Sequence, residues 1–141
     1  MTSTDDLNLE IARQVLDQQP FSRLLGARLV RFEPGETVLE IDIRDDLRQQ
    51  NGYLHGGVLA YAADSAITFA AGSALGPAIL TSGMSIHYIR PAQGRTLRAH
   101  ASVVHGGRRQ AVCRCDLHTL ADDGESTLCA VAQGSALTVQ D

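Results

Sequence analysis

Gly56-Gly57-Val58-Leu59-Ala60-Tyr61-Ala62-Ala63-Asp64-Ser65-Ala66-Ile67-Thr68-Phe69-Ala70-Ala71 decides how this chain is read. Apart from Asp64, the run offers only small, apolar or hydroxyl side chains all the way round. A helix apolar on every face is normally enclosed by the rest of its fold. The segment therefore reads as a central helix that starts at a glycine pair and carries one carboxylate inward. An unpaired carboxylate in such surroundings costs several kcal/mol or shifts its pKa upward. Two readings compete for Asp64: a cap or core pair, or a functional acid.

The flanking sequence supplies what would enclose that helix. Asp5 to Gln19 carries Leu7, Leu9, Ile11, Ala12, Val15 and Leu16 near helical spacing, and Pro20 ends it. Pro20 to Gly26 reads as a short helical turn. Ala27 to Phe32 and Glu36 to Ile43 read as strands around Pro34-Gly35, the second alternating apolar residues with Glu36, Glu40 and Asp42. Arg44 to Tyr53 is a polar loop delivering the chain to Gly56. After Gly72 to Pro77 come four strand candidates: 78–89, 96–105, 110–120 and 126–139. Gly94, Gly106-Gly107 and Asp122-Asp123-Gly124 read as hairpin turns between them. Helix, two strands, a long helix and four strands predict an α+β fold, an antiparallel sheet wrapped around the central helix. Its free edges predict pairing across a dimer.

At 141 residues, the chain is expected to form one domain over residues 1–141, burying about 65–70% of its unfolded surface. Aromatics make up 4% and there is no Trp, so base-stacking surfaces are not expected. The net charge of −4 argues against nonspecific binding to nucleic acid or anionic membrane. No apolar run is expected to span a bilayer, because the longest contains Asp64. Met1 to Asp6 lacks the basic and apolar regions of a signal peptide. Three cysteines, Cys113, Cys115 and Cys129, make an odd count that fits reduced thiols in a cytoplasmic protein.

The chemistry concentrates around Gly52-Tyr53-Leu54-His55-Gly56-Gly57. Two glycines permit a tight turn and close approach, and they bare N–H groups at the positive end of a long helix. Such groups suit a developing oxyanion, with His55 beside them to donate or orient. A plain loop-to-helix turn has the same sequence pattern. Asp64 lies two turns beyond Gly57, about 10 Å along the same side. One helix cannot bring its own N-terminus to that acid, whereas two antiparallel helices about a two-fold axis can. Thr68, at i+4 from Asp64, either holds the carboxylate or bonds back to the helix backbone.

Gln49-x-x-Gly52-x-x-His55-Gly56-Gly57 followed by Asp64, with Arg90-Pro91 and Gly106-Gly107-Arg108, resembles the hot dog-fold acyl-CoA thioesterases of the phenylacetate-pathway (PaaI-like) group. The resemblance covers Phe21 to Val139. It implies a thioester hydrolase without a serine or cysteine nucleophile, acting on an acyl-CoA and needing no cofactor. Asp64 would activate water or attack the thioester, and the Gly56 amide of a partner subunit would polarise the carbonyl. Gln49 would position water or substrate, and His55 would orient the thioester. Gly57 would line the substrate site. A hydroxyl from the strand after the helix would assist; Thr81 and Ser82 both qualify, on opposite strand faces, and Ser82 is slightly preferred. The family pattern implies homodimers with shared sites, pairing into homotetramers. The sequence departs from some relatives in Gln49 for Asn and Asp64 for Glu.

Arg90, Arg108 and Arg109 suit coenzyme A phosphates, although arginines after a Gly-Gly turn are also ordinary surface charges. Cys113-x-Cys115 with His118 lacks a second pair to close a zinc site, so buried thiols are expected and no metal. No Gly-x-Ser-x-Gly, Gly-x-x-x-x-Gly-Lys or Gly-x-Gly-x-x-Gly occurs. A hot dog-fold acyl-thioester dehydratase or hydratase, and a non-catalytic acyl-CoA-binding protein, are the alternatives. Tyr53, Tyr61, Phe69 and Tyr88 could shape an aryl pocket, which leaves aryl and aliphatic acyl groups both open.

Overall fold

The computed structural model describes residues 4–139. The elements are α1 (Thr4–Asp17), α2 (Pro20–Leu25), β1 (Arg28–Glu33), β2 (Glu36–Asp42), α3 (Gly56–Leu75), β3 (Ile79–Tyr88), β4 (Thr96–Gly106), β5 (Gln110–Leu120) and β6 (Ser126–Thr138). A short 3-10 turn at Asp45–Leu47 sits in the loop before α3. The reading of Met1-Thr2-Ser3 lies outside the described residues, as does that of the Leu7 side chain.

Six strands form one antiparallel sheet in the order β1-β2-β4-β5-β6-β3, with α3 packed on its inner face. This is the wrapped-helix α+β architecture expected from the element order. The inner face of β5 reads Ala111, Cys113, Cys115, Leu117, all fully buried. Opposite them α3 buries Val58, Leu59, Ala62, Ala63, Ala66, Ile67, Ala70 and Ala71. Small residues on both sides let the helix lie close. Gly134 shows how close: a Cβ there would stand 3.2 Å from Ile67 Cδ1 and 3.0 Å from the Gly83 carbonyl.

Several expectations are corrected. β3 does not form a hairpin with β4; it pairs with β6, and the chain crosses from Tyr88 to Thr96 over the start of α3. Leu54 N–H donates to the Ala92 carbonyl of that crossover at 2.9 Å. Gly94 has φ +130°, and a Cβ there would meet the Leu120 carbonyl oxygen at 2.9 Å, so it marks a close crossing rather than a two-strand turn. β2 does not alternate in burial: Thr37 to Ile41 are all buried. The outward Glu40 is covered because Arg98 Nε donates to it at 2.7 Å and Arg28 at 3.3 Å. α1 stops at Asp17, short of Gln19, because Pro20 opens α2 instead.

α3 itself is enclosed on one side only. Gly57, Ala60, Tyr61, Asp64, Ser65, Thr68, Phe69 and Gly72 form a part-exposed stripe away from the sheet. The expectation of burial on every face fails because the sheet stops at edge strands β1 and β3. α1 fills part of the opening, burying Ala12 and Leu16 and anchoring Arg13 Nε on the Leu29 carbonyl at 2.9 Å. At 20 residues, α3 is also long and apolar enough to cross a membrane by length and composition alone. Asp64 still interrupts its apolar run, as the sequence indicates. Its sheet-facing side shows it to be a core helix.

Candidate active site

The start of α3 forms the first of two polar centres. His55 is the N-cap, with φ −61° and ψ 135°, and its Nδ1 accepts the Gly57 N–H at 2.8 Å. An imidazole accepting at Nδ1 presents its remaining hydrogen at Nε2. The Gly56 amide belongs to the first helical turn, where no intrahelical acceptor exists. Gly56 is pinned from outside as well: the Tyr88 hydroxyl donates to its carbonyl at 3.0 Å. Sequence reasoning missed this contact, which joins residues 32 apart and has no local signal.

Around Gly56 lies a cleft of about 420 Å³ whose lining includes Gln49, Tyr53, Leu59, Tyr88, Arg90 and Pro91. Gln49 is held by its loop: its N–H donates to Tyr53 O at 2.8 Å, its carbonyl accepts from Gly52 at 3.0 Å, and its side-chain Oε1 accepts the Asn51 N–H. Arg90 Nη1 donates to the Leu128 carbonyl at 2.9 Å, which holds its guanidinium beside the cleft that Arg90 lines. Gln49, Gly56 and Arg90 are thus brought together, with His55 and Gly57 at the helix start.

The second centre is Asp64. It is half-buried on the open stripe of α3, not deep in the core, and it is not unpaired. Thr81 on β3 donates to Asp64 Oδ1 at 2.6 Å. Thr68 Oγ1 stands 2.9 Å from Thr81 Oγ1, 2.8 Å from the Asp64 carbonyl and 3.4 Å from Oδ1. A hydroxyl has one hydrogen, so Thr68 donates to the helix carbonyl, to Thr81 or at its longest reach to Oδ1, while Thr81 donates its own to the acid. Among the described residues no donor reaches Asp64 Oδ2.

The preference for Ser82 is corrected. Ser82 points to the other strand face, where its hydroxyl pairs with Ser135 Oγ at 2.7 Å, while Thr81 faces Asp64. The strand is irregular at this point, with a register shift between Thr81 and Gly83. Period-two counting across an unplaced bulge could not choose between them.

The two centres do not meet within one chain: eight helical residues separate Gly56 from Asp64 by about 12 Å. Arg108 and Arg109 stay apart from both, exposed in the β4–β5 turn next to Ala74 near the end of α3. The three thiols are fully buried. Burial pushes Cys113 and Cys129 up to about 11 and Cys115 up to about 12, so none is a ready thiolate.

A six-stranded antiparallel sheet around one long helix, with a glycine-pair N-terminus and an acid on the open stripe, is the hot dog architecture of thioesterases. The Thioesterase superfamily profile matches residues 51–125, and the chain belongs to that family, as a thioesterase of PaaI-like type. The chain is 27% identical over 107 residues to 1,4-dihydroxy-2-naphthoyl-CoA hydrolase of Listeria monocytogenes, across 74% of this chain and 85% of that one. It is 28% identical over 102 residues to acyl-coenzyme A thioesterase PaaI of Escherichia coli, across 72% of each. A thioesterase family protein from Silicibacter pomeroyi superposes with a TM-score of 0.86 at 29% identity, covering 92% of this chain and 96% of the other.

Proposed function

We propose that this thioesterase hydrolyses an acyl-CoA to the free acid and coenzyme A, in a site shared by two protomers. The single observation carrying the reading is the Thr81–Asp64 contact, which holds one carboxylate oxygen and leaves Oδ2 without a donor among the described residues, on a part-exposed helix stripe. Similarity to two CoA-thioester hydrolases supports the substrate class.

In this reading the Gly56 amide of the partner's α3 donates to the thioester carbonyl oxygen as it becomes an oxyanion. Asp64 Oδ2 either takes a proton from water, whose oxygen attacks the carbonyl carbon, or attacks that carbon itself, forming an anhydride that water then opens. In both routes the carbon–sulfur bond breaks and coenzyme A leaves with the sulfur electron pair, then takes a proton. Thr68 and Thr81 orient the acid. Gln49 positions water or the thioester, and His55 Nε2–H faces the substrate. Because His55 Nδ1 is engaged as the helix cap, the imidazole is poorly disposed as the base of a hydratase. Gly57 lines the site, and Arg90, Arg108 and Arg109 meet the coenzyme A phosphates.

The whole of residues 1–141 acts as one thioesterase domain. The two polar centres, about 12 Å apart in one chain, become one site when two α3 helices run antiparallel. Dimers pairing again into homotetramers follow the family pattern. Three free thiols support a cytoplasmic location.

The decisive experiment is thiol release from an acyl-CoA panel. Turnover by the native chain, lost in Asp64→Asn and Asp64→Ala while circular dichroism and ligand binding persist, is the expected result. Undiminished turnover in both variants overturns the role of Asp64.

A further inference from the structure

We propose that the groove between α1 and the C-terminal half of α3 receives the acyl group and selects an extended, uncharged aliphatic chain. The inference rests on the reading of Asp64 as the reacting carboxylate, and it names the substrate that reading left open.

The groove encloses about 370 Å³, within the usual range for small-molecule sites. Thr68 connects it to the chemistry, because that residue both lines the groove and joins the hydroxyl pair on Asp64. From there one wall follows α1 through Ile11 and Val15 toward Gln19 just beyond the helix, and the other follows α3 through Phe69 and Gly72 and continues to Ile79 at the start of β3. Ile11 and Val15 remain 58% and 43% exposed, two aliphatic side chains on the wall of the groove.

The lining sets the class. Among the described residues no ionisable side chain lines the groove; its polar groups are Asn8, Gln19 and Thr68. A charged acyl terminus would lose water without gaining a partner. Shape argues for a chain over a ring. The α1 wall from Asn8 to Val15 runs about 10 Å, longer than a single aromatic ring fills. Phe32 and Phe69 meet edge-to-face with centroids 6.3 Å apart, so that wall is preset rather than open for a stacked ring. Gly72 supplies the width: a Cβ there would already touch Ile79 Cδ1 at 3.6 Å, and anything longer enters the channel.

Calorimetry with coenzyme A thioethers tests the groove independently of hydrolysis, since these ligands cannot be cleaved. Affinity is expected to rise from S-butyl- to S-octyl-CoA by about fourfold per methylene laid in the groove. S-octyl-CoA is expected to exceed S-benzyl-CoA. Gly72→Leu, which favours the helix, and Ile11→Trp on the opposite exposed wall should each weaken S-octyl-CoA at least tenfold. S-butyl-CoA should change less than threefold, with thermal melts verifying the fold. A flat length series, tighter binding of S-benzyl-CoA, or equal weakening of both alkyl ligands overturns the proposal. Failure of the catalytic reading looks different: Asp64→Asn would keep its turnover while the thioether series stayed intact.

Discussion

Thr81 on β3 donates a 2.6 Å hydrogen bond to Asp64 Oδ1 on α3, tying the edge strand to the one acid of the central helix. The same strand ends at Tyr88, which grips the Gly56 carbonyl at the helix start. One strand therefore sets the position of both polar centres.

A hydrogen bond to a charged group is worth about 1.5–3 kcal/mol. Thr81→Val is therefore expected to lower kcat about 10- to 100-fold with KM changed much less. Thr81→Ser should recover most of the loss. Ser82→Ala, which touches only the Ser135 side, should stay within about twofold. Steady-state kinetics on the three variants decide it, and a larger loss in Ser82→Ala would reverse the assignment.

Because the centres lie about 12 Å apart in each chain, two differently damaged chains should repair one another. Asp64→Asn and Gly56→Val are each expected to be inactive alone. Co-expressed, they form hybrid dimers with one intact site, giving about a quarter of native activity under random pairing. No recovery, or sedimentation showing fully active monomers, would remove the shared site.

His55 caps the helix through the Gly57 N–H. His55→Ala should cost about 1 kcal/mol of stability, read as a lower Tm, together with a fall in kcat/KM. His55→Asn retains a capping oxygen and should restore the Tm without restoring activity. Recovery of both would reduce His55 to a cap.

The thiols bear on alkaline stability. Below the ordinary thiol value of 9.0 the folded and unfolded chains both keep the proton, and pH has no effect through these groups. Above it the unfolded chain loses protons that Cys113 and Cys129 keep to about 11 and Cys115 to about 12. Folding stability then falls as pH rises, by up to about 1.4 kcal/mol per pH unit for each thiol. Urea melts between pH 8 and 11 should show that slope, and Cys115→Ala should flatten it. An unchanged slope would assign alkaline unfolding elsewhere.

Neutralising Arg108 and Arg109 together should raise KM for CoA thioesters more than for pantetheine thioesters. Equal effects on the two substrates would show that the β4–β5 turn does not meet the phosphates.

Legibility differed between local and long-range features. Hydrophobic period and turn residues marked every helix and strand, and the Gly56-Gly57 start and Asp64 stood out by composition alone. The β3–β4 crossover was misread because a glycine between strands looks alike whether the chain folds back or passes across a helix. The open stripe of α3 was invisible for a related reason: alanine and glycine tolerate burial and exposure alike, so period could not say which face the sheet would leave bare.

Chain order and side-chain chemistry by themselves determined a wrapped helix, a glycine-pair N-terminus and a carboxylate two turns beyond its second glycine. The acid's donor, the partner of β3 and the groove beside α1 were decided only in three dimensions. Each depends on strand register and helix packing between residues distant in sequence, where a one-residue bulge reverses which hydroxyl faces Asp64.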